Sequence, residues 1–118
     1  MALLARSQTI HLTTIGARTG EPRRVELLAQ PYGEGAIVIA SKAGAPTHPA
    51  WFYNLVANPD VTIEVGDRKV RARARVAEPT ERDPLWVQTK AAFPGFRDYE
   101  EKTERVIPVV VLEPTAAG

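Results

Sequence analysis

The chain has 118 residues, enough for one domain with its own core, and its 15 Lys and Arg against 14 Asp and Glu leave a formal charge of +1. That balance argues against a dedicated nucleic-acid binder, so any anion recognition must be local. With no cysteine and two histidines, disulfides and thiolate chemistry are excluded, no metal centre is expected, and apolar runs such as Val109–Leu112 are far too short to cross a membrane.

Gln8–Ile15 is rich in β-branched residues and reads as a strand running into Gly16-Ala-Arg-Thr-Gly-Glu-Pro22, where two glycines and a proline reverse the chain. Arg24–Gln30 and Ala36–Ala40 flank a short connection with two glycines and complete a three-stranded meander. Ser41–Pro49 is too rich in Gly and Pro for regular structure. Ala50–Ala57 is expected to be a short helix, with Pro49 at its start and Asn58-Pro59 ending it. Trp51 and Leu55, four apart, would pack it on the sheet.

Val61–Val65 and Lys69–Ala77 alternate with period two around Gly66-Asp67-Arg68 and read as a hairpin. On the second strand Val70, Ala72, Ala74 and Val76 share one face, while Arg71, Arg73 and Arg75 share the solvated one. Pro79–Ala92 is helical, Pro94-Gly95 interrupts it, and a second helical piece runs from Phe96 to about Lys102. Val106–Leu112 closes the chain as a strand that Pro108 assigns to an edge or a bulge, followed by a frayed tail. Six antiparallel strands in consecutive hairpins, with short helical insertions, make a mainly β (α+β) barrel or sandwich in a single domain, 1–118.

Neither serine nor histidine pattern supports a hydrolytic triad, and no phosphate-loop or dinucleotide fingerprint is present. His11 lies mid-strand, and His48, ahead of Pro49, reads as a helix cap. Two loops remain, each at a strand end. Arg18, Arg23 and Arg24 surround a glycine-bounded turn, and Ser41-Lys42-Ala43-Gly44 joins a hydroxyl, an ammonium and small residues. Each is compatible with a solvated loop or with an anion site; together they favour the anion site. Phe93, Phe96 and Tyr99, spaced by three across Pro94-Gly95, fit either a core or the wall of a pocket for a flat ligand.

Taken in order, Leu12–Arg23, Val38–Ala45, His48–Trp51 with Asn54-Leu55 and Ala57–Pro59, and Ile107–Pro114 resemble the deazaflavin-dependent nitroreductase family of actinobacteria, over residues 11–114. The resemblance implies an antiparallel split β-barrel of the flavin-reductase and pyridoxamine-phosphate-oxidase kind. It also implies an oxidoreductase using coenzyme F-420, an 8-hydroxy-5-deazaflavin with an anionic phospholactyl and glutamate tail. By the same resemblance Arg18, Thr19, Arg23, Ser41, Lys42, Ala43 and Gly44 would hold the cofactor, with Trp51 walling its groove. Tyr99 and Ser41 would be the catalytic polar groups, and Phe93, Phe96 and Tyr99 would face a hydrophobic acceptor: a quinone, a nitro-aromatic or an activated alkene. Some relatives carry tyrosines where this chain has Phe93 and Phe96, which cannot donate a proton.

A non-catalytic deazaflavin carrier and a barrel holding FMN are the alternatives the residues leave open. The expected setting is cytoplasmic, with peripheral membrane contact at most and no stable insertion, and a homodimer is compatible. The first motif begins near residue 11, so the leading helix of some relatives is expected to be missing.

Overall fold

The computed structural model describes residues 2–115, so the expected frayed tail lies, from residue 116, outside the described residues. Six strands, β1 (Gln8–Ile15), β2 (Pro22–Tyr32), β3 (Gly35–Ile39), β4 (Asp60–Val65), β5 (Arg68–Val76) and β6 (Val109–Pro114), close into one barrel. Three helices, α1 (Ala50–Ala57), α2 (Pro79–Ala92) and α3 (Gly95–Glu101), fill two of the connections. The barrel consists of two antiparallel meanders, β1-β2-β3 and β4-β5-β6, joined by the pairs β1·β4 and β3·β6.

Side-chain alternation decides which faces meet. In β1, Ile10, Leu12 and Thr14 point into the barrel and are fully buried, as is Ile63 of β4. Burying an aliphatic side chain of this size stabilises the fold by about 1.5–3 kcal/mol. Strands β3 and β6 are covered on both faces. Ala36, Val38, Val110 and Leu112 join the interior, while Ile37, Ile39, Val109 and Val111 pack outward against Leu85 and Trp86 of α2. Two-sided burial is why these strands carry unbroken apolar runs instead of alternation. Where they meet, a Cβ on Gly35 would overlap the Leu112 carbonyl oxygen, so only glycine permits the pairing.

Three expectations need correction. β6 is no edge strand: it lies between β3 and β5, and Pro108 sits just before it, with its carbonyl accepting from the Ala40 amide at 3.0 Å. The missing amide of Pro108 therefore costs the ladder nothing. Val76, assigned to the inner face with Val70, Ala72 and Ala74, is exposed. The chain turns there toward α2, and Ala77 is buried instead, its amide bonded to the Val109 carbonyl. The expected run of consecutive hairpins is also broken after β3, whose neighbour is β6 and not β4.

Leu3 and Leu4 ahead of β1 join the interior cluster, and the Leu3 amide donates to the Glu34 carbonyl in the β2–β3 turn. This segment closes one end of the barrel. At that end the strands are joined by tight turns, Gly33-Glu34 and Gly66-Asp67. The registers Ile15 to Pro22, Ile39 to Val109, Thr13 to Thr62 and Val76 to Val110 place the other three connections together at the opposite rim.

Candidate functional site

That rim holds both basic loops. In the loop 16–21, the Gly16 amide donates to the Glu21 carbonyl and the Gly20 amide to the Gly16 carbonyl, at 2.8 and 2.9 Å. The Thr19 hydroxyl accepts from the Glu21 amide at 3.2 Å, so it is engaged in shaping the turn. Asn54 of α1 fixes the loop to the barrel. Its Oδ1 accepts from the Ala17 amide at 3.0 Å, and its Nδ2 donates to the buried Thr14 hydroxyl at 3.2 Å.

Between this loop and α1 opens a groove of about 650 Å³. Its walls include Val25, Ala50, Trp51 and Tyr53, and its cations are Arg18, Arg23 and Arg24. Trp51 has two roles: it packs in the barrel cluster at 8 % exposure and also lines the groove. Arg23 is 3.3 Å from Glu21 and Arg24 is 3.0 Å from Glu64, whose carboxyl that contact holds below its usual range. Among the described residues Arg18 pairs with no carboxylate, so its guanidinium is free for an anionic ligand.

The second loop has unusual backbone geometry. Ser41 is right-handed helical at φ −81°, whereas Lys42, Ala43 and Gly44 are left-handed at φ 45°, 53° and 81°. Left-handed backbone costs a non-glycine residue roughly 1–2 kcal/mol. At Gly44 glycine is also demanded by packing, since a Cβ there would lie 2.7 Å from the Tyr99 carbonyl oxygen of α3. The Gly44 and Ala45 amides bond back to the Ser41 and Lys42 carbonyls. The amides of Ser41, Lys42 and Ala43 have no acceptor among the described residues. A right-handed residue followed by a left-handed one turns successive N–H groups toward a common point, a concavity that suits a phosphate or carboxylate. The Lys42 ammonium adds charge, held 3.3 Å from the Thr47 hydroxyl.

Arg105, between α3 and β6, braces this loop by donating to the carbonyls of Ala40, Ser41 and Ala45 and to His48 Nδ1. His48 therefore does not cap α1, whose N-cap residue is Pro49. A guanidinium can only donate, so Nδ1 accepts and the imidazole proton sits on Nε2. Burial, with Arg105 adding to it, lowers the His48 pKa and keeps the ring neutral. The ring lies 4.6 Å from that of Phe52 and 5.7 Å from that of Tyr53, which connects the second loop to the groove wall. His11 is an ordinary strand residue, 3.2 Å from Glu26 on β2.

The structure thus gathers the sequence-predicted residues into two groups at one rim. Arg18, Thr19, Arg23 and Trp51 line the groove; Ser41–Gly44 form the left-handed loop, with Tyr99 beside it through the Gly44 contact. Phe93, Phe96 and Tyr99 make an edge-to-face series with ring separations of 6.4 and 5.7 Å, and Phe96 and Tyr99 pack on the outer cluster. None of the three lines the groove. Trp86 is a core residue, its indole N–H donated to Glu100. Sequence reasoning assigned no role to Asn54 or Arg105. Asn54 stands in a family-like motif that hinted at one, whereas Arg105 reaches partners 57 to 65 residues away that no local pattern announces.

Apolar walls, a free guanidinium, an ammonium and three unbonded amides together suit a flat ring attached to an anionic chain. No group of metal-ligating side chains occurs among the described residues, and no helix among them is long and apolar enough to cross a membrane.

The chain is similar in sequence and in fold to several known proteins. An F420H(2)-dependent quinone reductase of Mycobacterium tuberculosis (strain H37Rv) is 38% identical over 104 residues, 86% of this chain and 70% of that protein. A solved structure described as an F420-H2 dependent reductase superposes with TM-score 0.80 at 37% identity, covering 89% of this chain and 93% of the other. Another, described as a domain-swapped dimer, has the same TM-score and identity and covers 89% and 79%. The split-barrel fold also recurs in an FAD-binding protein of Mesorhizobium loti, at 13% identity and TM-score 0.64 over 92% and 82%. The model of one family, described as F420H(2)-dependent quinone reductase, matches residues 2–114. The chain belongs to that family, and it is an oxidoreductase whose cofactor is coenzyme F-420.

Proposed function

We propose that the protein reduces a quinone with reduced coenzyme F-420, and that Arg18, Arg23, Lys42 and the 41–43 amides grip the anionic tail while Trp51 walls the ring. The observation that carries this reading is the groove of about 650 Å³, apolar-walled yet holding the unpaired Arg18, at the same rim as the left-handed loop. When bound, the reduced coenzyme supplies a hydride to the acceptor. The chain's own part is to position the two reactants, exclude water and place a proton donor.

Reduction of a quinone to a hydroquinone takes up one hydride and one proton. Tyr99 is the residue proposed to deliver the proton: its hydroxyl has no hydrogen-bond partner among the described residues, and its backbone abuts the 41–44 loop. Ser41 would hydrogen-bond at the same place. Phe93 and Phe96 would give the acceptor an apolar surface, which suits a quinone. Nitro-aromatics are secondary acceptors in this proposal, since the two phenylalanines donate no proton to a nitro oxygen, and activated alkenes stand with them. The setting proposed is cytoplasmic, and the likeness to a domain-swapped dimer supports a homodimer as the assembly to test first.

Steady-state reduction of a water-soluble benzoquinone by the reduced coenzyme, with wild type and Tyr99→Phe, tests the assignment. Turnover by wild type, with kcat lowered about 10- to 100-fold in the variant and coenzyme affinity retained, is the expected outcome. Equal kcat in both proteins would remove Tyr99 from the mechanism.

A further inference from the structure

The left-handed loop raises the question of what holds it. Lys42 and Ala43 adopt positive φ without being glycine, and the two amide-to-carbonyl bonds within the turn are all that its own backbone provides. The remaining support comes from outside. Arg105 Nη1 donates to the Ala40 carbonyl at 3.1 Å and Nη2 to the Ser41 carbonyl at 2.6 Å, before the turn; Nε donates to the Ala45 carbonyl at 2.8 Å, after it. Nη1 also meets His48 Nδ1 at 2.9 Å. One planar fork therefore fixes both ends of the turn, a geometry that a lysine, with donors on a single nitrogen, cannot reproduce.

Its electrostatics are equally distinctive. Arg105 is half-buried and has no carboxylate partner among the described residues. Its acceptors are three carbonyls and a neutral imidazole, so its charge is left uncompensated. That charge sits on the carbonyl side of the Ala40–Ser41 and Ser41–Lys42 peptide units, so the Ser41 and Lys42 amides point away from it and its field adds to theirs.

We propose that Arg105 is a positioning residue that holds residues 40–45 in the left-handed form and so presents the Ser41, Lys42 and Ala43 amides to the phosphate of the cofactor tail. The proposal rests on the F-420 reading above. It assigns to a residue outside the groove the pre-organisation of the anion site, and it makes the effect of losing that residue specific for the tail.

Calorimetric titration of the full chain with coenzyme F-420 and with the tail-less 8-hydroxy-5-deazaflavin separates the possibilities. Arg105→Lys is expected to bind the coenzyme about tenfold more weakly than wild type, with affinity for the tail-less ring unchanged within about twofold. Adding Ala43→Gly to that variant should recover part of the loss, because glycine adopts φ 53° without strain. His48→Ala removes one of the four acceptors, and about a threefold loss confined to the coenzyme is expected; this variant carries the test if Arg105→Lys does not fold. Equal losses for both ligands, or none for the coenzyme, would overturn the proposal. Failure of wild type to bind the coenzyme would instead refute the F-420 reading itself.

Discussion

Asn54→Ala tests how the groove is built. Asn54 joins three elements: α1, which carries it, the buried Thr14 on β1 and the Ala17 amide of the basic loop. A neutral hydrogen bond contributes about 1 kcal/mol net, and a buried hydroxyl left without a partner costs about 1–3 kcal/mol. Thr14 is fully buried and would be left in that state, whereas the Ala17 amide lies in an exposed loop and can turn to water. The sum is about 2–4 kcal/mol of fold stability. It should appear as a lower urea midpoint with an unchanged slope, together with weaker coenzyme binding as the loop loosens. Asn54→Asp separates the two effects. A carboxylate still accepts from the Ala17 amide, and the Thr14 hydroxyl can rotate to donate to it, so stability should stay close to wild type. Its negative charge beside the groove should lower coenzyme affinity about three- to tenfold. An alanine variant within about 0.5 kcal/mol of wild type, with unaltered affinity, would refute the claim that Asn54 organises the groove.

Glu81 links α2 to the barrel through Arg75 and Tyr32, and its hydrogen bonds to Arg75 and then Tyr32 bring its pKa down to about 2 from the usual 4.5. A carboxyl held below its unfolded value stabilises the fold above pH 4.5 and loses that contribution as pH falls toward 2. The urea midpoint of Glu81→Gln should therefore depend less on pH than that of wild type across this window; equal dependence would show that the contact is absent in solution. Leu4, at 2 % exposure inside the barrel, should cost about 2–5 kcal/mol on replacement by alanine. A loss under about 1 kcal/mol, read by urea unfolding, would mean that the segment ahead of β1 does not seal the barrel.

What the sequence reveals follows from how local each cause is. The β4–β5 hairpin is readable because Arg71, Arg73 and Arg75 face solvent while Ala72 and Ala74 face the core, so the alternation is written into neighbouring residues. Helices α1 and α2 are readable from their start and stop residues. The place of β6 is obscured because Pro108, one residue before the strand, looks like an edge signal although both faces of the strand are covered. Leu3 and Leu4 precede any periodic pattern, so nothing local marks them as a plug. At the rim, arginine, lysine and glycine mark both loops as candidate anion sites, because composition carries that chemistry. The positive φ of Lys42 and Ala43 and the Arg105 brace arise from contacts between distant segments, and they emerge only once the barrel brings β3, α3 and β6 together.

The central claim is that a basic rim on this barrel selects a deazaflavin with an anionic tail. Its most direct test is a calorimetric titration of the wild-type chain with coenzyme F-420 and with FMN, each at low and high ionic strength. The deazaflavin is expected to bind more tightly than FMN, and its affinity to fall as salt screens Arg18, Arg23 and Lys42. Absence of F-420 binding, or a preference for FMN, would contradict it.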